Sequence, residues 1–411
     1  VELYEYQKPA VDFLCDPRFP NRLLADDMGV GKTLSAVHAC RRLGASRILV
    51  LCPATVKQHW ANTFRGEGYT NVGVNSLNTS VCIWNYDHLS RSQSGSFSLY
   101  ETIKRMNKAG SGYDVLILDE AHYLASGNSK RTQRVLGKGT GLYTVARKVF
   151  ALTGTPILSG PRDFYPLLNA LWPDALYDCH GYEAYARKFC AAHFEGSHFE
   201  DSGASEVEEL ALRLNNFMFR RTRQQVLGDW VPPSVYKITA PIDLQRLEFD
   251  QENHITARRV SAESKTPEAL ETIAAVLKHH GNLVVFAHHR NVLQQIVARF
   301  PMAAIIEGGQ SIAQRKQMID SFVRGFRKLA VVQIRAGGTG LDGLQAACST
   351  GMFLEQDWTP AQIDQAMGRL DRNGQLDECT FYFVEARGSD IESRMRAALE
   401  RKRAAARGIL K

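Results

Sequence analysis

No apolar run in this chain of 411 residues approaches the ~18 residues that a membrane-spanning helix needs, so no such helix is expected. Its eight cysteines include no Cys-x-x-Cys pair. Cys40, Cys52, Cys82 and Cys348 lie in apolar runs, as reduced core cysteines do. Cys179, His180, Cys190, His193 and His198 follow no common zinc spacing and read as packing and loop residues. There is no short-period repeat. The start, Val1-Glu2-Leu3-Tyr4-Glu5, is polar and acidic, unlike a secretory leader. Charge of one sign is not dominant: the net +7 permits a nucleic-acid partner without demanding one.

What is present begins at residues 24–33, LADDMGVGKT. Gly29, Gly31, Lys32 and Thr33 form the phosphate-handling end of a P-loop. Glycines let backbone N–H groups surround an anion, lysine reaches the β/γ-phosphates, and the hydroxyl ligates Mg²⁺. The strict pattern has glycine where Asp26 stands. Leu23-Leu24-Ala25 supplies the strand before the loop. Leu34, Val37 and Cys40 mark one face of a helix after it. A second continuous apolar run, Val115-Leu116-Ile117-Leu118, ends in Asp119-Glu120-Ala121-His122. Carboxylates at the C-terminal end of a buried parallel strand lie where such sheets bind ligands. Asp119 would hold Mg²⁺ and Glu120 would take the proton of the attacking water.

Apolar runs near Leu23, Ile48, Val81, Val115 and Val149 alternate with helical patterns, which predicts a parallel α/β sheet. Runs at Leu283, Ala303, Leu329, Gly351 and Phe381 predict a second. We expect residues 1–157 to form the first lobe, 158–231 a helical protrusion, and 232–266 a linker with a second helical protrusion. Residues 267–387 would form the second lobe, and 388–411 a basic brace helix.

The order of motifs resembles the Swi/Snf-type helicase-like ATPases of helicase superfamily two. Asp119-Glu120-Ala121-His122 is similar to their motif II. Motif I is matched by 26–33, motif Ia by 50–60, motif III by 151–156, motif IV by 283–287, motif V by 336–341 and motif VI by 365–375. The stretch 189–210, and Arg220-Arg221-Thr222-Arg223 after it, resemble the distant branch that includes annealing helicases. Asp342, Arg335 and Asp371 depart from the usual pattern. Beginning at a motif and without methionine, the chain is expected to have flanking domains.

The resemblance implies two RecA-like lobes with ATP and Mg²⁺ as cofactors. ATP would contact Gln7 at the adenine edge, then Asp27, Met28, Gly29, Val30, Gly31, Lys32, Thr33 and Gly340, with Mg²⁺ on Thr33 and Asp119. Arg369 and Arg372, three apart on one helical face, would be arginine fingers. A nucleic-acid track would run over Thr55, Lys57, Asn85, Tyr86, His288, Arg290, Gly309, Arg315, Gly338, Thr339 and Trp358. The function expected is a double-stranded-DNA translocase that does not separate strands, in bacterial or phage cytoplasm or in a nucleus. The alternatives are a strand-separating DNA or RNA helicase, and a nucleotide-gated DNA clamp with little turnover.

Overall fold

The computed structural model describes residues 2–90, 97–241, 254–334, 343–372 and 374–410. Two compact units divide the chain: Val1–Gly228 with Ala404–Lys411, and Asp229–Arg403.

The first unit holds strands β1 (Asn21–Leu24), β2 (Ile48–Cys52), β3 (Val72–Val74), β4 (Val81–Asn85), β5 (Tyr113–Asp119), β6 (Ala146–Leu152), β7 (His193–Glu195), β8 (His198–Glu200) and β9 (Met218–Phe219). Seven of them form one sheet in the order β3-β4-β2-β5-β6-β1-β9, with every pair parallel. Alternation decides the two faces. Leu23, Leu49, Leu51, Leu116, Leu118 and Ala151 pack on one side. Leu24, Ile48, Val50, Ile117, Phe150 and Leu152 pack on the other. A sheet covered on both faces needs continuously apolar strands, and β2 is buried throughout.

The stretch expected to protrude contains helices Tyr165–Leu171, Tyr182–Phe189 and Val207–Leu214 and the antiparallel hairpin β7–β8. It shares the core on one sheet face through Trp172, Tyr185, Phe189 and Phe217. The chain then rejoins the sheet as β9 beside β1.

The second unit carries β10 (Ser234–Ala240), β11 (Leu283–Ala287), β12 (Ala304–Ile306), β13 (Leu329–Gln333), β14 (Thr350–Phe353) and β15 (Thr380–Ala386). They form a parallel sheet, β10-β15-β14-β11-β13-β12. β10 was expected to be linker. Its side chains are mostly exposed because it is an edge strand, and its register comes from pairing Ser234–Ala240 with Thr380–Ala386. The helix His254–His280 runs straight through Pro267, where the second lobe was expected to begin. Ala262, Ala269, Ile273 and Val276 seat both halves in one core, so packing outweighs the proline's cost. A last helix, Asp390–Ile409, places Met395 and Leu399 in the second unit's core and Ile409 in the first's.

Among the described residues no helix is long and apolar enough to cross a membrane.

Candidate functional site

β1, β5 and β6 are neighbours in the first unit, so the loops after them meet at one sheet edge. After β1 the chain turns through Gly29 (φ 84°) and Gly31 (φ 91°) into the helix Lys32–Arg42. Gly31 is the helix's N-cap and brings no side chain to its N–H groups. Those groups and the helix dipole would face an anion. Lys32 Nζ donates to the Asp26 and Asp27 carbonyls at 2.6 and 3.0 Å. Burial lowers its pKa, opposed by Glu120, Asp26, Asp119 and Asp27. The loop after β6 closes tightly on this lysine. A Cβ on Gly154 would stand 2.6 Å from Met28 Cγ and 3.2 Å from Lys32 Nζ, so only glycine fits.

Asp119 ends β5, paired in register with Leu152. Its Oδ2 accepts from Trp60 Nε1 at 2.7 Å and its Oδ1 from the Glu120 amide at 3.1 Å. Burial and the neighbouring Glu120 push its pKa up to about 7, against the pull of Trp60 and Lys32. A buried carboxylate repelled by its neighbour favours a cation beside it. Its oxygens and the Thr33 hydroxyl, in the first turn of the helix Lys32–Arg42, are hard donors of the kind Mg²⁺ takes. Glu120 is left-handed at φ 50°, a conformation costing about 1–3 kcal/mol for a non-glycine residue. That turn brings its Oε2 within 3.2 Å of His122 Nδ1. The same nitrogen lies 3.0 Å from Thr153 Oγ1 and 3.3 Å from Thr155 Oγ1. His122 therefore stands between the acid after β5 and the loop after β6.

Three residues expected to contact nucleotide or nucleic acid are buried, with hydrogen bonds inside the first unit. Gln7, expected at the adenine edge, is 2% exposed. Its Oε1 accepts from the Tyr4 amide at 3.0 Å and its Nε2 donates to the Val30 carbonyl at 3.3 Å, so the amide braces the glycine-rich loop. Tyr86, expected on the track, is also 2% exposed. Its hydroxyl donates to the Asp119 carbonyl at 2.8 Å, which makes it a support for Asp119. Asn85 is buried and its Oδ1 accepts from Lys57 Nζ at 3.3 Å. Burial also lowers the Lys57 pKa. Thr55 is half-buried beside them, its Oγ1 without a partner among the described residues.

In the second unit, Arg290 Nε donates to Glu307 at 3.0 Å and its Nη2 to the Gly308 carbonyl at 3.2 Å. Arg315 Nη2 donates to the Glu307 carbonyl at 3.3 Å. Gly309, at φ 93°, follows directly. These three expected contacts thus gather on one turn. His288 stands close by, its amide donating to buried Glu355 at 2.7 Å. His289 Nδ1 lies 2.6 Å from the same carboxylate. Burial would raise the Glu355 pKa, but these hydrogen bonds hold it below the ordinary value. Trp358 is half-buried against the core, and its carbonyl accepts from Lys402 at 2.8 Å. Gly338, Thr339 and Gly340 lie outside the described residues. Arg369 and Arg372 do not share a helical face. The helix Pro360–Met367 stops at Gly368, and both arginines sit in the turns beyond it. Burial of Leu370 and of Asp371, which accepts from Trp230 Nε1 at 3.0 Å, draws the chain off the helix axis.

Sequence reasoning missed Trp60 and His122, for which an indole and an imidazole inside matched motifs were the only signals. It gave no role to Arg220 and Arg221, whose guanidinium groups pair with Asp27 and Asp26. It also missed a basic face. Helices Leu99–Lys108 and Lys130–Leu136 meet where Arg134 lies 5.7 Å over the Tyr100 ring. With Lys138 they carry Lys104, Arg105, Lys108, Lys130, Arg131 and Arg134 against Glu101, and Arg131 pairs with Asp87 at 3.1 Å. Seven cations less two anions leave a local excess of five.

The profile of the SNF2-related domain matches residues 6–282, and that of the helicase conserved C-terminal domain matches 266–374. The chain is similar to the Bos taurus SWI/SNF-related matrix-associated actin-dependent regulator of chromatin subfamily A-like protein 1, with 27% identity over 94% of this chain and 43% of the relative. It is also similar to the Homo sapiens DNA annealing helicase and endonuclease ZRANB3, with 26% identity over 98% of this chain and 40% of the relative. The chain thus spans less than half the length of these two relatives. A solved Sulfolobus solfataricus SWI2/SNF2 ATPase core in complex with dsDNA gives a loose likeness, TM-score 0.47 at 16% identity, covering 100% of this chain and 94% of the other.

Proposed function

Because the chain belongs to the SNF2-related family, we propose that it is a DNA-dependent ATPase that couples ATP hydrolysis to movement along double-stranded DNA without separating the strands. The observation that carries this reading is the convergence of Lys32, Asp119, Glu120 and the Thr153–Thr155 loop at the ends of three neighbouring parallel strands. Lys32 would exchange its two carbonyl partners for the β/γ-phosphates. Thr33 and Asp119 would hold Mg²⁺, which when bound neutralises phosphate charge. Glu120 would orient the attacking water and take its proton, with His122 reporting its state to the Thr153–Thr155 loop. Arg369 and Arg372 would stabilise the charge spread over the transferring phosphoryl group.

The basic face supports a polyanionic partner, and phosphate contacts position a protein without reading sequence. The strand-separating alternative has one observation in its favour, the hairpin β7–β8 with exposed Phe194. Glu195, Glu200 and Asp201 around it would repel a phosphate backbone, so the translocase reading is preferred.

The test is ATP-driven strand displacement. The wild-type chain should displace the third strand of a triplex and leave a plain duplex intact. Lys32→Ala should lose ATP binding. Glu120→Gln should bind ATP yet turn over slowly. Efficient duplex unwinding would replace this reading with the helicase one. Tight DNA binding without DNA-stimulated turnover would replace it with the clamp.

A further inference from the structure

Asp26 and Asp27 open the phosphate loop with two carboxylates, an arrangement that by itself repels a polyphosphate. The structure pairs both with arginines. Asp26 is 1% exposed. Arg221 grips it with two contacts, Nη2–Oδ2 at 2.6 Å and Nε–Oδ1 at 3.2 Å. Arg220 Nη2 donates to Asp27 Oδ1 at 2.9 Å, and the Arg223 amide donates to its Oδ2 at 3.1 Å. The backbones are joined as well. The Ala25 amide donates to the Phe219 carbonyl at 2.7 Å and the Asp27 amide to the Arg221 carbonyl at 2.9 Å. Arg220 Nη1 donates to the Ala25 carbonyl at 2.9 Å, and Arg221 Nη1 donates to the Tyr6 carbonyl, next to Gln7. Lys32 rests on the carbonyls of the same two aspartates.

We propose that Arg220 and Arg221 are positioning residues for the phosphate loop, and that they couple nucleotide binding to the segment leading out of the first unit. This rests on the reading of residues 24–33 as the phosphate loop. The arginines hold the peptide units on which Lys32 rests and cancel the charge that a nucleotide would meet. Their segment ends in the short helix Arg223–Val226, just before the first unit ends at Gly228. Movement of this segment would uncover two carboxylates beside the bound phosphates, and phosphates drawn into the loop would tighten its ladder to 219–221. An arginine fork matches a carboxylate in a way lysine does not.

The tests use the full chain and Mg²⁺, with ATP for turnover and ATPγS for hydrogen exchange. Arg221→Lys, which keeps charge but loses the fork, should raise the KM for ATP roughly tenfold and leave kcat within about threefold. Asp26→Asn should do the same, and the double variant should be no worse than the poorer single, because both remove one interaction. Losses that multiply, or a folded Arg221→Lys chain with unchanged KM, would overturn the positioning role. Hydrogen exchange on the wild-type chain decides the coupling and does not depend on any variant folding. ATPγS should slow exchange at the Ala25 and Asp27 amides and across 219–228. Protection confined to 28–33 would overturn it. A wild-type chain that binds no ATP would instead sink the phosphate-loop reading itself.

Discussion

At the residue scale, two supports separate chemistry from scaffolding. Trp60 is fully buried and spends its only polar atom on Asp119. Trp60→Phe keeps the ring packing but deletes a hydrogen bond to a carboxylate, an interaction of about 1.5–3 kcal/mol. The variant should need roughly tenfold more Mg²⁺ for half-maximal turnover, read in a metal titration of ATPase activity, while losing no more than about 3 kcal/mol of stability. A loss of fold without a change in metal demand would show that Trp60 is core alone. Arg369 and Arg372 make the opposite case. Either one changed to Ala should cut turnover on the order of 10³-fold, as a lost finger does, while ATP affinity stays near wild type by calorimetry. Parallel loss of both would mean a damaged turn after Met367. The motif singles out these arginines, but their setting was not legible in it. Three-residue spacing reads as a helical face until a glycine and the buried Asp371 end the helix.

At the element scale, the two helices of the basic face derive their meaning from adjacency. Leu99–Lys108 and Lys130–Leu136 are separated in sequence by β5, so neither alone is a conspicuous charge run. Stacking of Arg134 on Tyr100 joins them. If this face meets phosphates, Lys130→Ala with Arg134→Ala should lower the slope of log affinity against log salt on duplex DNA, by about 0.9 for each phosphate no longer neutralised. Affinity should fall equally for unrelated sequences, measured by anisotropy at several salt concentrations. An unchanged slope would remove this face from the DNA reading. β10 depends on its neighbour in the same way. An exposed edge strand has little apolar signal, and only the ladder to β15 reveals it.

At the scale of the whole molecule, the last helix belongs to both units. Its residues to Arg403 group with the second unit, and 404–411 with the first, where Ile409 is 1% exposed. Ile409→Ala should cost the first unit about 2–5 kcal/mol. Scanning calorimetry should show one transition lowered; no shift would mean that Ile409 does not anchor the first unit. The sequence by itself determined the two parallel sheets and the family motifs, because buried strands must be continuously apolar and a Gly-Lys-Thr loop must carry its glycines, lysine and hydroxyl in order. Only the tertiary structure decided which side chains face the site and which are spent inside. Gln7, Asn85 and Tyr86 are polar and adjacent to motifs, yet each has its hydrogen bonds drawn inward by burial. Arg220 and Arg221 lie nearly 200 residues from Asp26 and Asp27, and no local pattern can register an ion pair that forms only when β9 closes beside β1.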